Sequence, residues 1–154
     1  MVSNSRYFAV GLTAAALLWA AMLLTAPLFV SRTGGSRLVA AVYSAAGLIC
    51  HQRPERSFAI AGTQLPVCAR CFGLYAAGAA GALAACVTGA GHVRGGSRGV
   101  RVALALAAVP TVVTVALEWF GAAFPSNTMR AAAAVPLGAV AGWIFVRLLH
   151  PFAA

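Results

Sequence analysis

The sequence predicts an all-α membrane protein: a polytopic transmembrane helical bundle with four spans and one short re-entrant or interfacial helix. Hydrophobic residues make up 62% of the 154 residues and charged residues only 8%. The apolar residues also fall into long runs separated by short polar turns. A water-soluble domain carries about a quarter charged residues, so this chain needs lipid around it. We expect residues 1–154 to form a single membrane domain.

The first span is predicted at about 8–30, where the apolar run is unbroken. At about 1.5 Å of rise per residue, this run is long enough to cross a hydrocarbon core of about 30 Å. Arg6 precedes it as in a signal peptide, but the run exceeds the usual apolar region of about 7–15 residues, which favours a retained anchor. The next apolar stretch, residues 38–49, is too short to cross and predicts the re-entrant or interfacial helix.

Three further spans are predicted at about 70–88, 100–120 and 129–149. A Gly- and Arg-rich loop over 89–99 separates the first two of them, and Ser126 or Asn127 can cap the helix of the last. Gly138 and Gly142 in this last span have the G-x-x-x-G spacing that lets another helix approach closely, so they predict helix–helix association.

Residues 50–71 form the segment most capable of chemistry and are predicted to be a site loop. Cys50 and His51 begin it, and Cys68 and Cys71 end it with C-x-x-C spacing. Three thiolates and an imidazole are a known zinc ligand set, and soft thiolates also accept Cu or an Fe–S centre. The sequence therefore predicts a metal site at these four residues, with zinc as the expected ion.

Two alternatives use the same cysteines. The Cys68–Cys71 pair, with Cys50 as a resolving thiol, would suit a membrane thiol–disulfide oxidoreductase. The protein could instead be a non-catalytic accessory subunit or a metal chaperone, so the pattern leaves open whether it is an enzyme. Cys86 lies about 22 Å deeper along the helix than Cys71 and is expected only to pack.

The order of the spans brings several polar residues to one membrane face. The start of the second span, the end of the third and the start of the fourth must share that face, so Glu118 and Arg130 accompany the cysteines. A carboxylate in an apolar helix is costly unless it is paired or functional. Glu118 is thus expected to pair with an arginine or to act in catalysis. The catalytic candidates are Glu118, Arg56, Arg70 and Tyr75, the last of which lies one turn after Cys71.

The net charge of +9 comes from arginines scattered between apolar spans, a pattern that argues against nucleic acid as a partner. The expected partners are the lipid bilayer of the cell membrane and an anionic or lipid head-group ligand, which arginines near the cysteines would attract. These are Arg53, Arg56, Arg70 and Arg130. If they serve the site, five of the remaining arginines lie on the opposite face and two on the site face. The positive-inside rule then predicts a site that faces away from the cytoplasm.

The motif around the cysteines resembles a known signature. Residues 50–58 read Cys-His-Gln-Arg-Pro-Glu-Arg-Ser-Phe, and residues 66–75 read Pro-Val-Cys-Ala-Arg-Cys-Phe-Gly-Leu-Tyr. Together they resemble a family of small bacterial and archaeal membrane proteins, domain of unknown function 2085. The resemblance extends loosely over about 38–142, including Pro-Ser-Asn-x-x-Arg at 125–130. It implies a multi-span helical protein and no assigned activity. The motif residues that it implies are Cys50, His51, Gln52, Pro54, Arg56, Ser57, Phe58, Cys68, Arg70, Cys71, Gly73 and Tyr75.

Overall fold

A computed structural model of the protein describes residues 2–33, 35–88 and 96–149. Within these ranges, four helices are long and apolar enough to cross a membrane, whereas the fifth, of 11 residues, is not. The predicted fold class is therefore confirmed. The helices are α1 (Val2–Thr33), α2 (Arg37–Gly47), α3 (Ala69–Thr88), α4 (Gly96–Trp119) and α5 (Asn127–Leu149), and a short antiparallel hairpin joins β1 (Ala59–Ile60) to β2 (Thr63–Gln64).

The apolar spans begin and end within a few residues of the predicted positions. They cover Ser5–Val30, Ala69–Thr88, Gly96–Trp119 and Asn127–Leu149. The largest difference is at 96–99, which we expected in the basic loop and which instead forms the first turn of α4. Gly and Ser disfavour helix in water, but near lipid the backbone must satisfy its hydrogen bonds internally. The rest of that predicted loop, 89–95, lies outside the described residues. That the whole chain is one membrane domain stays a prediction.

Helices α3 and α5 pack with their backbones in close contact. A Cβ atom on Gly73 or Gly81 of α3 would overlap a backbone carbonyl of α5, and one on Gly138 or Gly142 would overlap a carbonyl of α3. The predicted G-x-x-x-G pair therefore does receive another helix, and that helix is α3 of the same chain. Helix α4 packs against α5, and α1 packs mainly against α3.

The two ends of the bundle carry different polar contacts. At one end Arg70, Glu118 and Arg130 meet, which confirms that the start of α3, the end of α4 and the start of α5 share a face. At the other end, the Arg147 guanidinium lies 4.7 Å from the ring centroid of Trp143 and donates a hydrogen bond of 2.9 Å to Thr88 Oγ1. These contacts bind α3 to α5 at both surfaces.

The glycine contact predicts a specific loss of stability. Gly142→Ala would push a methyl group into the Gly78 carbonyl and should cost about 1–3 kcal/mol, as overpacking of a tight interface does. Gly11→Ala in α1 is the control, because its Cβ would meet nothing within 4 Å. We expect thermal denaturation in mild detergent to show a clearly lower midpoint for Gly142→Ala than for Gly11→Ala. Equal midpoints would contradict this account of the interface.

Candidate metal centre

Cys50 lies just after the end of helix α2, at the rim of the bundle. The first turn of this helix is capped by Ser36, whose hydroxyl accepts a hydrogen bond of 3.4 Å from the Val39 N–H. At its end the Cys50 N–H donates to the Ala46 carbonyl at 2.9 Å, so the chain is still wound tightly when it reaches the cysteine. Cys50 is buried, and it belongs to the same apolar cluster as Val67.

Two glutamine side chains close the site loop. The Gln52 amide donates to the carbonyls of Tyr43 at 2.7 Å and Pro66 at 2.8 Å, and the Gln64 amide donates to the Gln52 carbonyl at 2.6 Å. The Tyr43 hydroxyl in turn donates to the Gln64 carbonyl at 2.5 Å, and burial raises the pKa of this phenol. Because these bonds join the beginning and the end of the loop, Cys50 is brought beside Cys68.

Three sulfur atoms converge at this point. The Sγ atoms of Cys50, Cys68 and Cys71 all lie within 4.8 Å of one another. The Cys68 N–H donates a hydrogen bond of 3.2 Å to the Cys50 sulfur. A hydrogen bond from the Cys71 thiol lowers the pKa of Cys68 to about 5, against the opposing effect of burial. This hydrogen bond favours the thiolate form of Cys68, and thiolates are the form of cysteine that binds metals.

His51 is the predicted ligand that the structure does not bring to the sulfurs. Its side chain is exposed, and its ring nitrogens are outside the group of mutually close ligand atoms. It does border the same cavity as the three cysteines. In the exposed position both imidazole nitrogens can form hydrogen bonds with water. Beside the thiols alone, these nitrogens would have weaker hydrogen-bond partners. His51 as the fourth ligand stays a prediction.

A buried ion-pair triad lies at the same end of the bundle as the sulfurs, and its two arginines border the same cavity. The Glu118 carboxylate, whose side chain is 8% exposed, accepts hydrogen bonds from Arg130 and, at 3.3 Å, from Arg70. These three residues come from α4, α5 and α3, so one carboxylate ties together three helix ends. Glu118 does not border the cavity. Its contacts are those of the expected arginine pair, and a catalytic role for it remains only a prediction.

Asn127 connects this triad to the site loop. Its Oδ1 accepts a hydrogen bond of 2.8 Å from Arg130, and its Nδ2 donates one of 2.9 Å to the Ser57 carbonyl. Of the two predicted caps of α5, Ser126 is the one whose hydroxyl accepts from the Met129 N–H, at 3.2 Å. Sequence reasoning missed the bridging roles of Asn127 and Gln64. The one available signal was that amide side chains are rare in so apolar a chain.

A cavity of about 420 Å³ opens in front of the sulfurs. The remaining catalytic candidates differ in whether they border this cavity. Arg56 and Arg70 border the cavity, while Tyr75 is half-buried against the apolar cluster that includes Cys71 and does not border it. Cys86 lies elsewhere, with its sulfur 3.3 Å from the Thr13 hydroxyl, as expected for a packing residue. The polar residues that border the cavity are Cys50, His51, Arg53, Arg56, Cys68, Arg70, Cys71 and Arg130.

The family model described as "Predicted membrane protein (DUF2085)" matches residues 50–144, which is more than half of the 154 residues. The chain belongs to this family. The match begins at Cys50 and includes all three converging cysteines, Glu118 and Arg130, so the resemblance predicted from the motif is confirmed. In this DUF2085 protein, α1 and α2 precede the matched region.

Two relatives share short, highly similar stretches with this DUF2085 protein. The chain is 59% identical to an uncharacterized protein of Methanocaldococcus jannaschii over 34 residues, which are 22% of each protein. It is 56% identical to an uncharacterized protein of Methanothermobacter thermautotrophicus over 27 residues, which are 18% of this chain and 24% of that protein. The matched stretches thus cover less than a quarter of each relative's length. No solved structure matches the chain.

The two carboxylates of the chain make a matched pair for testing the triad. Glu118→Gln removes a charge that is buried between two guanidinium groups and should cost about 3–5 kcal/mol, because a buried charge is left uncompensated. Glu55→Gln removes a 63% exposed charge that lies 3.8 Å from Arg53, and it should cost about 0–1 kcal/mol. Denaturation in mild detergent measures both changes. Similar losses in the two variants would refute a structural role for the triad.

Proposed function

We propose that this DUF2085 protein holds a metal ion at Cys50, Cys68 and Cys71, with zinc as the expected ion and His51 turning inward as the fourth ligand. The convergence of three sulfurs within 4.8 Å carries the proposal. Around tetrahedral zinc with Zn–S bonds of about 2.3 Å, sulfurs stand about 3.8 Å apart, so the cluster needs little movement to accept an ion. The hydrogen bond from the Cys68 N–H to the Cys50 sulfur would orient this sulfur as a ligand, as hydrogen bonds to metal ligands commonly do.

The charges around the sulfurs favour a divalent ion. Three thiolates and one Zn²⁺ carry a net charge of −1. Behind them, Arg70 and Arg130 share the single carboxylate of Glu118, which leaves one positive charge to balance the centre. A monovalent Cu ion would leave one more negative charge unbalanced at the rim of the bundle. The centre would be structural if His51 completes it, and open to a ligand from the cavity if His51 does not.

One observation favours a second candidate, a thiol–disulfide oxidoreductase. Cys68 carries a lowered pKa beside two further sulfurs, and all four cysteines are free thiols in the structure. Oxidation would join the Cys68 and Cys71 sulfurs and pass two electrons to a membrane quinone, which would take up the protons that the thiols lose or others from water to become the quinol. A third candidate, an accessory subunit or metal chaperone, would share the metal centre and lack turnover.

Metal analysis tests the proposal directly. Protein purified in mild detergent should contain about one zinc per chain by inductively coupled plasma mass spectrometry. Cys68→Ser should lose the metal, whereas the control Cys86→Ser should keep it, because Cys86 lies outside the cluster. His51→Ala should weaken binding by at least about tenfold if the imidazole is a ligand, since loss of a ligand costs no less than loss of a second-shell partner.

Thiol labelling separates the redox candidate from the metal centre. A metal centre predicts that Cys68 and Cys71 become reactive to an alkylating reagent when a chelator is added. A disulfide enzyme predicts that only a reductant exposes them. A preparation that is free of metal and fully reactive without either treatment would rule out the proposed centre.

We further propose that the protein lies in the cell membrane with its cysteine face outside the cytoplasm. Four arginines of that face border the cavity. Because the site explains their presence, we leave them out of the charge count that predicts the orientation. Arg32 and Arg37 then remain on the cysteine side. On the other side Arg147 is held inside the bundle by Thr88 and Trp143, and Arg6, Arg98 and Arg101 remain. The order of the spans in the sequence predicts that Arg94, which lies outside the described residues, joins them. This excess supports cytoplasmic placement of the opposite face.

Fusion reporters test this orientation. Helix α5 runs from the cysteine face to the opposite face, so a green fluorescent protein placed after Ala154 should fluoresce. Alkaline phosphatase placed at the same position should be inactive, because it needs an extracytoplasmic location. The reverse pair of results would overturn the proposed orientation.

A further inference from the structure

We propose that the cavity beside the three sulfurs binds a phosphate group through Arg56 and Arg70, with Arg53 and Arg130 supplying further positive charge. This inference goes beyond the metal centre and does not require a bound ion. Arg70 and Arg130 are held by Glu118 and the helices, not by the sulfurs.

The charge balance at the cavity leaves a positive excess. Among the residues that border it, four are arginines and none carries a carboxylate. The chain has two acidic residues, and both already contact these arginines: Glu118 binds Arg70 and Arg130, and Glu55 lies 3.8 Å from Arg53. Even with a zinc tris-thiolate alongside, one positive charge remains. At the edge of an apolar bundle, such an excess draws in an anion.

Two of the arginines also keep unused donors. The Arg70 Nε is buried and has no hydrogen-bond partner in the described structure. The Arg56 side chain is half-buried and makes no hydrogen bond or ion pair with the described residues. A buried donor without a partner costs about 1–3 kcal/mol. A ligand in the cavity that accepts hydrogen bonds would use the donors of Arg56, which borders the cavity.

The arrangement of the guanidinium groups fits phosphate better than carboxylate. Arg53 and Arg56 approach from the site loop, Arg70 from α3 and Arg130 from α5. One planar guanidinium group satisfies the two oxygens of a carboxylate. A tetrahedral phosphate instead offers oxygens to several guanidinium groups at once. The cavity of about 420 Å³ also has room for part of an organic group attached to the phosphate. Its position at the membrane rim admits either a phospholipid head group or a soluble phosphate compound.

The first experiment titrates inorganic phosphate into the full-length protein in mild detergent, with chloride used to keep the ionic strength constant. Phosphate should raise the melting temperature of the wild type. Arg56→Gln should weaken the apparent affinity by at least about tenfold, as expected for loss of a charge-assisted hydrogen bond, and Arg56→Lys should recover part of it. Arg101→Gln is the control, because Arg101 is exposed at the opposite end of α4.

A second arm separates the two sources of phosphate. The same variants are placed in nanodiscs of phosphatidylcholine with or without phosphatidylglycerol. A head-group site predicts stabilisation by phosphatidylglycerol that Arg56→Gln abolishes, with little response to inorganic phosphate. A soluble ligand predicts the phosphate response in both lipid compositions. Absence of any response in the wild type, or equal responses in Arg56→Gln and Arg101→Gln, would overturn the inference.

Cys68→Ser separates this inference from the metal proposal. If the arginines act alone, this variant keeps the phosphate or lipid response after it has lost its metal. Loss of that response would overturn the claim that no ion is needed. A wild type without metal that still binds phosphate would remove the metal proposal only, and a zinc-loaded wild type without the response would remove the phosphate site only.

Discussion

The carboxylate of Glu118 is the interaction on which the cysteine face of this bundle depends. It is buried, and it binds Arg70 of α3 and Arg130 of α5 from its position near the end of α4. Lipid provides no hydrophobic force to join helices, so polar contacts and close packing must hold them together. One carboxylate between two guanidinium groups is such a contact. It also holds the guanidinium groups of Arg70 and Arg130 at the cavity, which Glu118 itself does not border.

The close contact of α3 and α5 determines where those charges lie relative to the sulfurs. Glycines on both helices allow backbone to touch backbone, so the start of α3, with Cys71, lies near the start of α5, with Arg130. The site loop is then fastened to α2 by Gln52, whose amide donates to the Tyr43 carbonyl, and to α5 by Asn127, whose amide donates to the Ser57 carbonyl. The site is therefore held by contacts with several helices and does not depend on a long independent loop.

The resulting face combines two kinds of chemistry, that of sulfur ligands and that of guanidinium groups. Three soft sulfur donors and four permanently charged guanidinium groups border the same cavity, together with Ile49 and His51. Sulfur suits zinc and other borderline or soft metals, whereas guanidinium suits oxyanions. With both at one rim, a metal bound by the sulfurs and an anionic group bound by the arginines would lie within reach of each other. The proposed metal centre and phosphate site follow from this arrangement.

Apolar run lengths determined the four spans and the short α2, because a bilayer of fixed thickness selects helices by length. Span order determined that Glu118 and Arg130 would accompany the cysteines, and the C-x-x-C spacing placed Cys68 beside Cys71. The motif also predicted Cys50 beside that pair. Only the tertiary structure decided how Cys50 is held there, that His51 is exposed, and that Gly138 and Gly142 pack against α3. Those outcomes depend on side-chain directions and on hydrogen bonds between distant segments, such as those of Gln52, Gln64 and Asn127. Local periodicity and residue spacing carry no information about such contacts, because the partners lie far apart along the chain.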